Sequence, residues 1–170
     1  MNAIRAFVKK IDALSEWCGR IFSWFLLTLV GLSIFEVFTR RILGKPTIWT
    51  HETLSYLFCA SILLTMGYTL RYKAHAKVDV FSRTLSPKGQ AILSIIGFVF
   101  FLGIFSAIFL WKGTQFAALS WARMERSISA FNFYVFPAKT LIPVGAFLLF
   151  IQGIADFLRN IIFLIKGERL

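Results

Sequence analysis

The chain has 170 residues, of which 58% are hydrophobic and 16% are charged, whereas soluble proteins hold roughly 45–50% and about 25%. A body this small cannot hide so much apolar surface inside itself, so the composition excludes a soluble globule and indicates an integral membrane protein. The formal net charge of +11 then indicates loops that touch anionic lipid headgroups, and nucleic acid is not an expected partner.

The first twenty residues predict an amphipathic helix. Apolar residues recur at spacings of three and four from Ile4 to Ile21, with charged residues off that stripe. We expect segment 1–20 to lie in the headgroup plane, where anionic phospholipid would face its basic residues. Those residues are Arg5, Lys9, Lys10 and Arg20. The alternative is a helix that packs on a partner domain.

Four apolar runs follow, and each is long enough, with its flanks, to cross a hydrocarbon core of about 30 Å as a helix. We predict spans at about residues 21–40, 50–70, 89–112 and 136–157, and a short amphipathic helix at about 77–86. The predicted fold is therefore an all-α integral membrane protein with four transmembrane helices in one domain.

The distribution of positive charge predicts the orientation. Twelve Lys and Arg residues lie in the N-terminal segment, the middle loop and the C-terminal tail, and six lie in the other two loops. Because cytoplasmic loops carry the excess of Lys and Arg, both termini are expected in the cytoplasm.

Few polar residues interrupt the spans. Glu36 lies inside the predicted first span, and Arg40 lies one turn later on the same face. Glu52 opens the second span, so the three can meet near the outer interface. Either Arg40 satisfies Glu36 locally or the group contacts a partner subunit, and a proton-coupling role for Glu36 comes last. Lys139 begins the fourth span, where it can snorkel outward.

The spans offer no evident solute path. Their middle holds mainly Thr28, Ser61 and Ser106, whose hydroxyls commonly bond to helix carbonyls. A lone carrier needs polar or ionisable groups at that depth. The sequence also carries no arrangement of residues typical of a catalytic, cofactor or metal site, so no enzyme, cofactor or metal is expected.

The order of several short motifs resembles the small membrane subunit of tripartite ATP-independent periplasmic (TRAP) transporters. The most specific stretch is GYTLRYKAHAKVDVFSRTL, residues 67–85, and supporting stretches are EVFTRR (36–41), IWTHE (48–52), ERSISAF (125–131) and PAKTLIPVGAFLLFIQGIADF (137–157). This resemblance covers nearly the whole chain.

The resemblance implies a division of labour. In that family a periplasmic binding protein captures an organic anion, and a large membrane subunit carries it by an elevator-like movement that a sodium gradient drives. The small subunit enlarges the stationary scaffold in the bacterial inner membrane. The expected partners are therefore the large subunit, the binding protein and anionic phospholipid, and this chain is expected to be separate from the large subunit.

The resemblance also assigns residues. Arg71, His75 and Asp79 match the family motif and would order the inner loop. Glu125 and Lys139 lie in matched segments and join the polar residues expected to hold the structure or contact a partner. The expected docking surface for the binding protein comprises Arg41, Lys45, Trp49, Arg123 and Arg126.

Two other functions remain open at this point. One is a self-sufficient four-span transporter that uses Glu36 for proton coupling. The other is a partner-free membrane-anchored sensor or assembly protein.

Overall fold

Four long helices make up most of the chain in a computed structural model, which describes residues 2–45, 47–72, 86–129 and 131–167. They are α1 (Asn2–Arg41), α2 (Thr50–Arg71), α3 (Pro87–Ala122) and α4 (Phe136–Lys166). All four are long and apolar enough to cross a membrane. The described residues contain no strand beyond one isolated antiparallel bridge between Arg126 and Tyr134.

Helix α1 runs without a break through both the predicted amphipathic segment and the predicted first span. No proline interrupts it. The hydroxyls of Ser23, Thr28 and Ser33 bond to carbonyls one turn earlier, so these polar side chains are satisfied within the helix. Its 40 residues measure about 60 Å at a rise of about 1.5 Å per residue. The helix is therefore about twice as long as the hydrocarbon core is thick.

The N-terminal half of α1 packs against the rest of the chain. Val8 and Ile11 are buried against Ala155 of α4, and Cys18 is buried with Leu64 of α2. The other apolar residues of the predicted stripe remain exposed, namely Ile4, Phe7, Leu14 and Ile21. The stripe is thus divided between a contact within the chain and an open face, and its contact with headgroups stays a prediction.

Helices α3 and α4 extend beyond their predicted ends. Helix α3 begins at Pro87, where the Ser86 hydroxyl caps it by accepting a hydrogen bond from the Gly89 amide at 3.3 Å. It passes Lys112 and ends at Ala122, with a π-helical segment at Phe98–Leu102. Helix α4 ends where Gly167 adopts a left-handed conformation with φ of 71°. The predicted ends were placed near charged residues, but a charged side chain that reaches water does not end a helix. Such residues indicate where a span leaves the membrane, not where its helix ends.

Helix α4 is the centre of the arrangement. It contacts all three other helices, α1 also contacts α2, and the main helix contacts of α3 are with α4. Gly145 allows the close approach of α4 to α2, because a Cβ atom there would lie 2.6 Å from the Leu63 carbonyl oxygen.

Burial differs sharply between the two pairs of helices. In the most apolar 18-residue window of each helix, 44% of residues are buried in α4 and 33% in α2, against 6% in α3 and none in α1. Helices α2 and α4 therefore form the core, while α1 and α3 flank it and present broad apolar faces outward.

Candidate functional site: polar clusters at the two ends of the spans

One polar cluster joins three helices around Asp12 of α1. The Asp12 carboxylate accepts hydrogen bonds from Gln152 Nε2 at 3.0 Å and from Arg159 Nη2 at 2.7 Å. Its backbone carbonyl accepts another from Arg71 Nη1 at 2.7 Å. Since Arg71 ends α2 and the other two donors lie on α4, a single residue of α1 connects both core helices.

Neighbouring side chains complete this group, which we call the Asp12 cluster. Glu16 accepts hydrogen bonds from Arg71 Nη1 at 2.8 Å, from the Tyr72 hydroxyl at 2.7 Å and from Arg20 Nε at 2.9 Å. The Ser15 hydroxyl donates to Gln152 Oε1 at 2.6 Å. The cluster consists of Asp12, Ser15, Glu16, Arg20, Arg71, Tyr72, Gln152, Asp156 and Arg159.

The Asp12 cluster is balanced in charge and largely enclosed. Three acids face three arginines, Ser15 and Gln152 are at most 1% exposed, and the Asp12 side chain is 17% exposed. Because the Tyr72 hydroxyl donates to the Glu16 carboxylate, the pKa of Tyr72 lies above its ordinary value. The cluster satisfies its own charges and fixes α1 on the core.

At the opposite end of α1, Glu36 is held by local partners. Its Oε1 accepts hydrogen bonds from Arg40 Nη2 at 2.8 Å and Nε at 3.1 Å, and its Oε2 accepts one from the Thr47 hydroxyl. Thr47 also contacts Thr50, which is fully buried. Glu36 is therefore a satisfied carboxylate near the end of its span.

Glu52 bonds to a different element. The residue is 8% exposed, and its carboxylate accepts a hydrogen bond from the hydroxyl of Ser127, in the loop between α3 and α4. The Tyr56 ring meets the Phe133 ring of the same loop at 5.7 Å. The hydrogen bonds of Glu52 thus anchor this loop on α2, whereas those of Glu36 stay with Arg40 and Thr47.

The loop at residues 123–135 is also fastened to α4. Lys139 donates to Glu125 Oε2 at 2.5 Å and lies over the Phe116 ring at 4.2 Å. This contact with the ammonium group lowers the pKa of Glu125 below its ordinary value. The Ser127 amide donates to the Phe133 carbonyl at 2.7 Å, which closes the loop on itself.

The predicted docking residues all lie at this Glu36 end, outside the α2 and α4 core. Arg41, Lys45 and Arg123 are exposed. The Trp49 side chain is 37% exposed and lies 6.5 Å from the Phe35 ring. Arg126 is exposed and bonded to the Tyr134 hydroxyl, with its guanidinium 4.3 Å from that ring.

The remaining residues singled out in the sequence lie either at the Asp12 end or outside the described residues. Lys9, Lys10 and Arg20 are exposed and Arg5 is half-buried, and Arg20 pairs with Glu16 at 2.9 Å. His75, Asp79 and most of the predicted helix 77–86 lie outside the described residues.

The spans between the two ends use their hydroxyls internally. The Ser61 hydroxyl donates to the Phe58 carbonyl at 2.8 Å, Ser106 to the Leu102 carbonyl at 2.6 Å and Thr28 to the Trp24 carbonyl at 3.2 Å. The prediction that these hydroxyls bond to helix carbonyls is therefore confirmed.

Sequence reasoning missed most of the Asp12 cluster. It placed Asp12 and Glu16 on the polar face of the first helix and gave them no partner. One signal was available, because Gln152 is the only amide in the predicted fourth span and Ser15 lies on the apolar stripe of α1. A buried amide opposite a buried hydroxyl predicts a hydrogen bond between helices.

These features define a multi-pass α-helical membrane protein whose polar groups hold its helix ends and loop, with spans whose hydroxyls bond to their own helices. A family model described as "Tripartite ATP-independent periplasmic transporters, DctQ component" matches residues 29–162. The chain therefore belongs to this family and is the small membrane component of a TRAP transporter, as its motifs predicted. No curated protein and no solved structure matches the chain.

Proposed function

We propose that this subunit is a stationary membrane scaffold for the large, elevator-type subunit of a sodium-coupled transporter of an organic anion, either a carboxylate or a sulfonate. The observation that carries the proposal is the exposure of α1 and α3, whose most apolar windows are buried to 0% and 6% within the chain. Such faces suit lipid or a partner's helices. The family fits this division of labour, since a transporter component works with other subunits.

The spacing of charges supports a position across the bilayer of the bacterial inner membrane. Glu16 and Glu36 are twenty residues apart in one helix, or about 30 Å, which is the thickness of the hydrocarbon core. Glu52 and Arg71 bound α2 over a similar length. The positive-inside rule favours the Asp12 end in the cytoplasm, with both termini.

A lone proton-coupled transporter based on Glu36 is not favoured. A coupling acid must bind and release a proton near the middle of the membrane. Glu36 lies little more than one turn before α1 ends at Arg41. Its carboxylate accepts hydrogen bonds from Arg40 and Thr47. These contacts favour a structural role for Glu36.

The Glu36 end is suited to docking of the secreted binding protein. Its acids are engaged within the chain, Glu36 with Arg40, Glu52 with Ser127 and Glu125 with Lys139. Exposed cations remain at Arg41, Lys45 and Arg123. A cationic face of this kind speeds encounter with an acidic partner.

At the Asp12 end, the exposed cations Lys9 and Lys10 stand beside exposed Phe7. That combination favours contact with anionic phospholipid. Replacement of both lysines by Glu should reduce the enrichment of anionic over neutral phospholipid that co-purifies with the full chain, and an unchanged enrichment would contradict this contact.

Photo-crosslinking tests the scaffold proposal. A crosslinking amino acid is placed at Ile34 on α1, at Phe101 on α3 and, as the control, at buried Leu64 on α2, and the chain is co-expressed with the large subunit. We expect crosslinks to the large subunit from at least one flank and none from Leu64. Absence of co-purification, together with absence of crosslinks from both flanks, would contradict the proposal.

A further inference from the structure

A groove runs between α3 and the start of α4, on the outward side of the chain. It is an open, shallow groove with a volume of about 480 Å³. Its apolar lining is formed by Phe109, Gly113, Phe116, Leu119 and Ile142. Only 6% of the residues in the most apolar window of α3 are buried within the chain, so in a bilayer lipid can reach the groove.

Two polar side chains, Lys112 and Gln115, also line this groove. The Lys112 ammonium group lies 3.4 Å from Gln115 Oε1 and 5.1 Å from the centre of the Trp111 ring. Gln115 accepts in this contact, so its amide nitrogen remains as a further donor. Both side chains are exposed.

Comparison with Lys139 shows what Lys112 lacks. Each ammonium group lies over an aromatic ring, Lys112 over Trp111 and Lys139 over Phe116. Lys139 is also paired with Glu125 at 2.5 Å, and its side chain is 16% exposed. Within the part of the chain that the structure describes, Lys112 is paired with no carboxylate. A cation beside an apolar groove is complementary to an anionic group attached to an apolar chain.

We propose that this groove binds one anionic phospholipid, with an acyl chain along Phe109, Gly113 and Ile142 and the phosphate group at Lys112 and the Gln115 amide. The anionic headgroup is required by the unpaired ammonium group, and the acyl chain by the apolar lining. This site is distinct from the predicted lipid contact of Lys9 and Lys10 at the other end of the chain. It does not depend on the proposed scaffold role.

Native mass spectrometry of the full chain tests this site. The chain is released from detergent in the presence of phosphatidylglycerol or phosphatidylcholine, and retained lipid is counted. We expect one tightly retained phosphatidylglycerol, with weaker retention of phosphatidylcholine. One lysine near an anionic group contributes about 1 kcal/mol, so Lys112→Gln should reduce the preference for phosphatidylglycerol about fivefold.

Two further variants separate the headgroup from the chain. Leu119→Trp adds bulk at an exposed residue of the groove lining and should reduce retention of both lipids. Lys45→Gln removes an exposed cation outside the groove and should leave retention unchanged.

Three results would overturn the proposal. They are an equal preference in Lys112→Gln and the unaltered chain, full retention of lipid in Leu119→Trp, and loss of the retained lipid when the large subunit is bound. The last result would assign the groove to a protein contact instead.

Discussion

The charged side chains near the two ends of the spans are paired in different ways. At the Asp12 end, one network joins α1, α2 and α4, and its partners are as far apart in sequence as Asp12 and Arg159. At the Glu36 end, the contacts are separate, and one of them joins Glu36 to Arg40 of the next helical turn. The first arrangement makes a three-helix junction, whereas the second leaves much of its surface to solvent and partners.

This difference predicts where substitutions damage the subunit itself and where they damage its interactions. A network that is enclosed within the chain contributes to folding, since loss of one member leaves others without a partner. Exposed local pairs contribute little to folding because water competes for their charges. The following substitutions test that contrast.

Asp12→Ala should produce the largest loss of stability. It removes the carboxylate that accepts hydrogen bonds from Gln152 Nε2 and Arg159 Nη2, whereas the backbone carbonyl that accepts from Arg71 remains. Arg159 keeps Asp156 as a partner, so the expected cost is that of two hydrogen bonds to a charged group, about 3 kcal/mol. The measurement is the free energy of unfolding of the full chain in mixed micelles.

Arg40→Ala is the matched control for that variant, because it breaks an ion pair in the same helix at the other end. The Arg40 side chain is 61% exposed, and Glu36, whose side chain is 13% exposed, keeps the Thr47 hydroxyl as a donor. The unfolding midpoint should therefore move less than in Asp12→Ala. An equal or larger effect of Arg40→Ala would reverse the contrast between the ends.

Gln152→Leu should have the second largest effect. The amide is fully buried and links Ser15 to Asp12, so its loss leaves a buried hydroxyl and a carboxylate oxygen each short of one hydrogen bond. The expected cost is about 1–2 kcal/mol in the free energy of unfolding. The double variant Ser15→Ala/Gln152→Leu should be less unstable than the sum of the two single variants, and strict additivity would contradict a direct bond.

The contact of Glu125 with Lys139 should give the smallest effect, and a pH-dependent one. Because the pKa of Glu125 is lowered in the folded chain from an ordinary value of 4.5, its contribution is present above that value. It is lost as the pH falls below 4.5 through the folded pKa. The difference in unfolding midpoint between the unaltered chain and Glu125→Gln should therefore be present at neutral pH and disappear in acid. A difference that is independent of pH would contradict the ion pair.

The sequence predicts the helices well because each depends on local composition. The all-helical class and four candidate spans follow from apolar runs long enough to cross the core. The continuity of α1 could not be predicted in the same way, because a charged residue at Arg20 indicates the boundary between the amphipathic segment and the first span. In the structure Arg20 forms an ion pair with Glu16 one turn earlier in α1, and the helix continues without a break.

In the candidate sites too, contacts within one helix could be predicted from the sequence, whereas contacts between helices could not. The bond between Glu36 and Arg40 follows from helical spacing alone. The partners of Asp12 and Glu52 depend on which helices meet, and hydropathy contains no information on that. The family match begins at residue 29, after Asp12 and Glu16, and the motifs quoted for the resemblance begin at Glu36.

Reconstituted transport tests the central claim most directly. Proteoliposomes are prepared with this chain alone, with the large subunit alone and with both, and receive the binding protein loaded with its radiolabelled anion under an inward sodium gradient. A scaffold predicts no uptake by this chain alone and uptake when both membrane subunits and the binding protein are present. Uptake by this chain alone, abolished in Glu36→Gln, would contradict the scaffold account and support a self-sufficient transporter.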